Sequence, residues 1–223
     1  MIEVCNLTKE YCNDAVLTRA LSGVSFNIAA GEFVAICGPS GSGKSTLMHI
    51  MGFLDRPSSG IYKFQGRSIE ELNDDELAFI RNKKMGFVFQ SFNLLSRYNV
   101  LENVRLPLIY AGIKKRKGEE VARRAIEAVG LLQRIDFFPN QLSGGEQQRV
   151  AIARALAMDP AIILADEPTG NIATNQAKEV MKIFQKLNKE GRTIVLITHE
   201  ADIAEYAKRI IRLKDGKIVK DGV

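Results

Sequence analysis

The sequence predicts an α/β fold: a mainly parallel sheet flanked by helices, entered through an antiparallel β segment and interrupted by a helical insert. Three observations carry this. Phe33-Val34-Ala35-Ile36-Cys37 reads as a buried strand running directly into a glycine loop and then a helix. Two further short apolar runs, Ala161 to Ala165 and Thr193 to Ile197, have the near-continuous hydrophobicity of parallel strands covered on both faces. The stretch between the first strand and these runs, roughly 91–159, reads as helical.

Taken in order, Ile2, Val4 and Leu7 open the β segment, and Val24, Phe26 and Ile28 alternate with polar residues along its second strand. Ala29-Ala30-Gly31-Glu32 predicts a turn, and Thr46 to Leu54 a helix. Within the insert, Val121, Ala125, Ile126 and Val129 form a helical stripe over Glu119 to Leu132. Gln147 to Met158 reads as another helix, stopped before Asp159-Pro160. Val180, Phe184 and Leu187 mark a third amphipathic helix. Arg209 to Val219 predicts a hairpin turning at Asp215-Gly216. One domain of 1–223 is expected, with a core of 1–90 and 160–223 and a helical subdomain of about 91–159.

The chain has 223 residues, 46% of them hydrophobic, enough for one substantial domain. Its net charge of +5 is modest and suits an anionic small molecule or lipid surface as well as a polyanion. The dense basic run Lys114-Lys115-Arg116-Lys117 reads as a solvated loop before a helix. Three cysteines, Cys5, Cys12 and Cys37, give an odd count without zinc-site spacing, which fits a reducing compartment. Neither a secretory signal nor an apolar run of about 18 residues is visible, so a membrane role would need a membrane part from another chain.

The chemistry starts at Gly38-Pro39-Ser40-Gly41-Ser42-Gly43-Lys44-Ser45, which fits G-x-x-x-x-G-K-[ST] in its required strand–loop–helix setting. Such a loop turns several N–H groups and a helix N-terminus toward the β- and γ-phosphates of a nucleotide. Lys44 adds a mobile cation, and Ser45 offers a hydroxyl to Mg²⁺. Ile162 to Ala165 then delivers Asp166 and Glu167 at a strand's C-terminal end, where ligands sit in open α/β sheets. Asp166 suits the magnesium shell, through water, and Glu167 suits polarisation of an attacking water. The pair alone also fits a solvated corner.

Leu142-Ser143-Gly144-Gly145-Glu146 continues as Gln147-Gln148-Arg149. One reading is an N-cap with a flexible entry. The other is a second phosphate-binding helix start, used when two chains pair head to tail so that each nucleotide lies between the glycine loop of one and this segment of the other.

At these residues the chain resembles the ATPase subunit of ATP-binding cassette (ABC) transporters over essentially its whole length. The order of glycine loop, Gln90, LSGGE, Asp166-Glu167 and His199 matches that superfamily. The resemblance implies a P-loop NTPase core of RecA-like type, ATP and Mg²⁺ as ligands, and a homodimer. It also implies an integral membrane permease contacting the Gln90 to Glu102 region, a place on the cytoplasmic face of the membrane, and no nucleic-acid partner. It assigns Tyr11 to adenine stacking, Gln90 to Mg²⁺ and the membrane partner, and His199 to the γ-phosphate and attacking water. Thr46 joins the nucleotide contacts, and Lys44 and Glu167 join His199 in catalysis. Leu142 to Glu146 would serve the partner's nucleotide. His49 reads as a packing residue, and Cys37 either as a small apolar filler or as a thiol whose alkylation blocks nucleotide binding.

Gly86 to Gln90, Phe92-Asn93-Leu94-Leu95, Leu106-Pro107-Leu108 and Asp166 to Asn171 resemble one branch, that of the lipoprotein-release, macrolide-export and cell-division ATPases and the antimicrobial-peptide exporters. That implies either export by mechanical coupling or, without transport, regulation of wall hydrolases; soluble DNA- or ribosome-acting cassettes form a third class. Phe92, Leu94, Leu95 and Tyr98 fit either a groove for the membrane partner or packing inside the helical subdomain. One departure stands out: after Glu-Pro-Thr-Gly-Asn the family usually reads Leu-Asp, whereas here Ile172-Ala173 follows. The missing aspartate would loosen communication between the two sites of a dimer.

Overall fold

The computed structural model describes residues 1–13 and 16–222, in two compact units: Met1–Ala78 with Asn188–Val223, and Phe79–Leu187.

In the first unit, β1 (Ile2–Asn13) and β2 (Val16–Ile28) form the expected antiparallel pair, with Ile2 opposite Ile28. Ile2, Val4 and Leu7 bury with Leu21, Val24, Phe26 and Ile28. Two strands of this unit escaped the sequence reading, as did β6 (Met85–Phe89) in the other: β4 (Ser59–Phe64), antiparallel to β1, and the two-residue β5 (Arg67–Ser68). β4 buries only Tyr62 and Phe64 fully, too short an alternation to register as a pattern. The sheet order is β2-β1-β4-β5.

Also in this unit, β3 (Phe33–Cys37) is buried along its length and runs parallel to both β8 (Thr193–Thr198) and β9 (Arg209–Lys214). β10 (Lys217–Gly222) returns antiparallel to β9. Asp215 (φ 48°) and Gly216 (φ 72°) make the two-residue turn as predicted, because both central positions of such a turn need positive φ. The first helix, α1 (Lys44–Met51), starts and ends earlier than the predicted 46–54. Gly43 enters it directly from the left-handed region, and Phe53, at φ 56°, cannot continue it. α7 (Ala201–Ala204) follows β8.

The second unit holds the parallel pair β6 (Met85–Phe89) and β7 (Ile162–Asp166), Met85 opposite Ile162 and Phe89 opposite Asp166. Helix α2 (Asp74–Lys84) leads into β6. The helices of the insert are α3 (Val100–Tyr110), α4 (Lys115–Ala128) and α5 (Gly144–Leu156). They bury Val104 and Leu108, Ala122 and Ile126, and Val150 to Ala153. α6 (Thr174–Lys189) buries Val180, Phe184 and Leu187, the predicted stripe, and with them Met181.

Three expectations are corrected. The basic run is no loop: Lys114 is the N-cap of α4, and Lys115 to Lys117 form its first turn, with Arg116 reaching Glu120 one turn on at 4.0 Å. That helix also stops at Ala128, since Gly130 takes φ 72°. The helix placed at 147–158 begins at Gly144, because Ser143 and Glu146 close a capping box there, and it ends before Asp159 at φ 52°.

Candidate functional site

The glycine loop from Gly38 runs from β3 into α1, the strand–loop–helix setting expected of a phosphate loop. Gly38 leaves β3 so close to β9 that a side chain on it would run into the Leu213 carbonyl oxygen. Gly43 sits at φ 100°, and a side chain there would strike the Ala20 carbonyl. The hairpin turn holds the loop from behind: the Gly216 N–H donates to Ser42 O at 3.1 Å, and the Ser22 N–H donates to Gly216 O at 2.8 Å. Lys44 is 7% exposed, and its Nζ donates to Gly38 O at 2.8 Å and Pro39 O at 2.9 Å. The loop's own carbonyls therefore hold the cation over the loop, and an ammonium has a third proton to direct elsewhere. Ser40, Gly41 and Ser45 are exposed, Thr46 is half-buried, and Ser42 is buried.

Tyr11, near the end of β1, keeps an exposed ring tethered by its hydroxyl, which donates to Asp55 Oδ2 at 2.8 Å. Lys9 Nζ reaches Asp55 Oδ1 at 2.6 Å and lies 4.8 Å from the Tyr11 ring centroid. Burial pushes the Asp55 carboxyl up, but hydrogen bonds from Lys9, Tyr11 and the Arg56 N–H outweigh it and leave the group below its ordinary value. Burial, then the bond to Asp55, raises the Tyr11 phenol. Asp55 went unread in the sequence, where Asp-Arg-Pro carries no motif.

His199 is exposed just beyond β8. With Cys37, Gly38, Pro39 and Arg212 it lines a cleft of about 380 Å³, so the histidine and the start of the phosphate loop face one space. Cys37 is itself buried, in keeping with the filler reading.

In the second unit, the β6–β7 register pairs Phe89 with Asp166, so Gln90 and Glu167 leave the two strands side by side. Glu167 has φ 45°, uncommon for a non-glycine residue and typical of strain kept at a working site. Gln90 Nε2 donates to Asn171 Oδ1 at 3.3 Å, and Asn171 Nδ2 returns a bond to Gln90 O at 3.1 Å. A side chain on Gly170 would begin 2.7 Å from Gln90 Nε2. Beyond Gln90, Phe92 (φ 59°) and Asn93 (φ 51°) are held by Arg154, which donates to both carbonyls. The fully buried Asn103 side chain bonds the backbone of Leu95, Tyr98 and Asn99. This fixes the segment while leaving Leu95 and Tyr98 exposed, with Phe92 and Leu94 half-buried.

The signature segment ends in a reciprocal cap. The Ser143 N–H and hydroxyl both donate to Glu146 Oε2 at 2.8 Å, and the Glu146 N–H returns to Ser143 Oγ at 3.3 Å. The Ser143 N–H lowers the Glu146 carboxyl, against an opposing push from burial, with Ser143 Oγ and Arg134 assisting. Leu142 is buried and anchors the segment. Gly144 faces Ile172 and the Asn171 carbonyl, and Gly145 faces Gln176, in both cases too closely for a comfortable side chain. Gln176 Oε1 accepts from the Gly145 N–H at 3.1 Å, and its Nε2 donates to Ser143 Oγ at 3.3 Å. Arg149 braces α5 to α6 through Glu179 at 2.8 Å. Gln176, Arg154 and Asn103 carried no sequence signal, since each acts through partners that no local pattern marks.

The donor set suits Mg²⁺. Among the described residues, no three of His, Cys, Asp and Glu cluster as a metal cage. The candidates Ser45, Gln90 and Asp166 are oxygen donors, and Mg²⁺ ordinarily takes one or two carboxylates with nucleotide phosphates and water.

No helix among the described residues is long and apolar enough to cross a membrane. Residues 21–170 match the family described as ABC transporter. A macrolide export ATP-binding/permease protein, MacB, of Chlorobaculum tepidum is 55% identical over 99% of this chain, which spans about a third (34%) of that relative's length. An uncharacterized ABC transporter ATP-binding protein of Thermotoga maritima is 50% identical over 98% of this chain and 93% of its own. A solved structure, a post-hydrolysis dimer of the ATP-binding cassette MJ0796 bound to ADP and Pi, superposes with a TM-score of 0.91 at 44% identity, covering 99% of this chain and 97% of that one. By motif order, fold and these likenesses, the chain belongs to the ABC transporter family, as an ATP-binding cassette.

Proposed function

We propose that the protein hydrolyses ATP as a head-to-tail homodimer and drives a membrane permease from the cytoplasmic face. The observation that carries this is a second anion-seeking helix start, Ser143 to Gly145, on a chain that already has a complete phosphate loop. Two nucleotides shared between two chains use both. The dimeric structure of MJ0796 bound to ADP and Pi supports a pair of cassettes as the unit that handles nucleotide.

In this reading the adenine stacks on Tyr11, and the phosphates lie on the N–H groups of Gly38 to Thr46. Lys44 neutralises charge on the β- and γ-oxygens. Ser45, Gln90 and, through water, Asp166 would hold Mg²⁺, which supplies further charge neutralisation on those oxygens. Glu167 accepts a hydrogen bond from the attacking water and takes its proton as the water oxygen bonds to the γ-phosphorus and the bond from that phosphorus to the bridging oxygen breaks, ADP leaving with the oxygen. His199 donates to the γ-phosphate. Most of the acceleration comes from positioning and fixed charge. Loss of the γ-phosphate removes contacts that exist only in the closed dimer, so hydrolysis reopens it.

The permease would dock on the segment from Gln90 to Glu102, and exposed Leu95 and Tyr98 on a pinned backbone support that choice. The relatives named as ATP-binding/permease proteins favour export coupling. We assign 91–159 as the helical subdomain that carries this contact.

Glu167→Gln should leave ATP binding intact and slow hydrolysis by roughly 10²–10⁴-fold. Purified in mild detergent with Mg-ATP, that protein should bring down an integral membrane protein in stoichiometric amount. A soluble dimer alone, or one carrying ribosomes or nucleic acid, would refute the transporter role.

A further inference from the structure

The signature's phosphate-seeking groups already have an occupant from their own chain. The Gln176 amide oxygen accepts from the Gly145 N–H at 3.1 Å, an acceptor where a phosphate oxygen would otherwise sit. Its amide nitrogen donates to Ser143 Oγ at 3.3 Å. The Glu146 N–H donates to the same oxygen, so the Ser143 proton is directed to Glu146 Oε2 at 2.8 Å and away from any incoming ligand. The contact is close: a side chain on Gly145 would begin 2.8 Å from Gln176 Cβ. Gln176 lies in the first turn of α6, three residues beyond Ala173.

We infer that Gln176 is an internal competitor for the signature, a gating residue that must swing away before the partner's γ-phosphate can bind to Ser143 and Gly145. The inference rests on the head-to-tail reading proposed above. The physical argument is one of exchange. A neutral amide satisfies the Gly145 N–H in the separate chain, which spares the partly buried donor the cost of going unpaired. The phosphate offers the same donor a charge-assisted bond, which is stronger. Nucleotide therefore displaces the amide, and the difference between the two bonds sets how readily the dimer closes. The side chain favours release of the dimer after phosphate leaves, because the vacated N–H is recaptured at once.

The test uses analytical ultracentrifugation of the Glu167→Gln protein with ATP, alone and with a second substitution. Alanine is a good helix former, so Gln176→Ala should keep α6. It should lower the protein concentration at half-dimerisation by about 3- to 10-fold, the worth of one or two hydrogen bonds. Gln176→Glu keeps the acceptor and adds a negative charge facing the phosphate, so it should raise that concentration. A residue that merely shapes the signature would weaken the dimer in both variants, and that result, or no effect of Gln176→Ala, overturns the inference while leaving the head-to-tail dimer standing. If the Glu167→Gln protein forms no ATP-dependent dimer, the dimer reading falls and the inference with it.

Discussion

The Gln148 side chain donates to the carbonyl oxygen of Pro168 at 2.8 Å, with Gln148 fully buried. It also reaches the Phe89 carbonyl at 3.5 Å. One amide in the signature helix thus touches the segment that follows Glu167 and the residue that precedes Gln90. Gln148→Leu keeps the volume and strands the Pro168 carbonyl, which should cost about 1–3 kcal/mol. Chemical denaturation measures that loss, and hydrolysis should fall further than ATP affinity. An unchanged midpoint would show that the bond adds nothing.

Gly43→Ala should abolish nucleotide binding. The new side chain would meet the Ala20 carbonyl and would need a left-handed backbone at φ 100°. Equilibrium binding of a fluorescent ATP analogue reads the effect, and circular dichroism separates a lost loop from a lost fold. Normal binding would mean that the loop repacks easily.

The Asp55 carboxylate ties Lys9 to Tyr11. Its folded pKa lies below the ordinary value, because the bonds from Lys9, Tyr11 and the Arg56 N–H exceed the opposing effect of burial. A lowered carboxyl stabilises the folded state above its unfolded pKa, near ~3.9, and that stability is lost as pH falls through the lower folded value. Asp55→Asn should therefore be less stable than the parent by about 0.2–1 kcal/mol at neutral pH, as expected for a solvent-screened pair. The gap should close in acid below about pH 4. Melting curves from pH 3 to 8 test this; a gap that persists in acid would assign the loss to something other than charge.

Ala173 stands at the N-cap of α6: its carbonyl accepts the Ala177 N–H at 2.9 Å, and the first turn contains no acidic residue. Ala173→Asp should add a side-chain cap and a favourable charge at the helix start, stabilising the fold by about 0.5–2 kcal/mol. It should also alter the rate or cooperativity of steady-state hydrolysis, by restoring the residue usual in the family. Identical kinetics would show that this position does not influence communication between sites.

The local structure was legible in the sequence because it is encoded over short spans. A strand, six loop residues and a lysine at the helix start fix the phosphate loop. Ser143 and Glu146, three residues apart, close their own cap, and Asp215-Gly216 dictates a turn of two positive φ angles. Apolar runs at 33–37, 161–165 and 193–197 announced buried strands, which the fold places at Phe33–Cys37, Ile162–Asp166 and Thr193–Thr198. Local pattern failed where its cues conflicted: four basic residues looked like a loop, yet the i to i+4 pairing of Arg116 and Glu120 sits within a helix.

What only the tertiary structure decided is which polar side chains hold these pieces. Asp55 meets Tyr11 across 44 positions, Gln148 meets Pro168 across 20, Gln176 meets Gly145 across 31, and Arg154 meets Phe92 across 62. A single glutamine or aspartate has no periodicity to betray it. Its meaning comes from a partner brought close by the packing of apolar faces elsewhere, and hydrogen bonds of about 3 Å are too short-ranged to be foreseen from spacing along the chain.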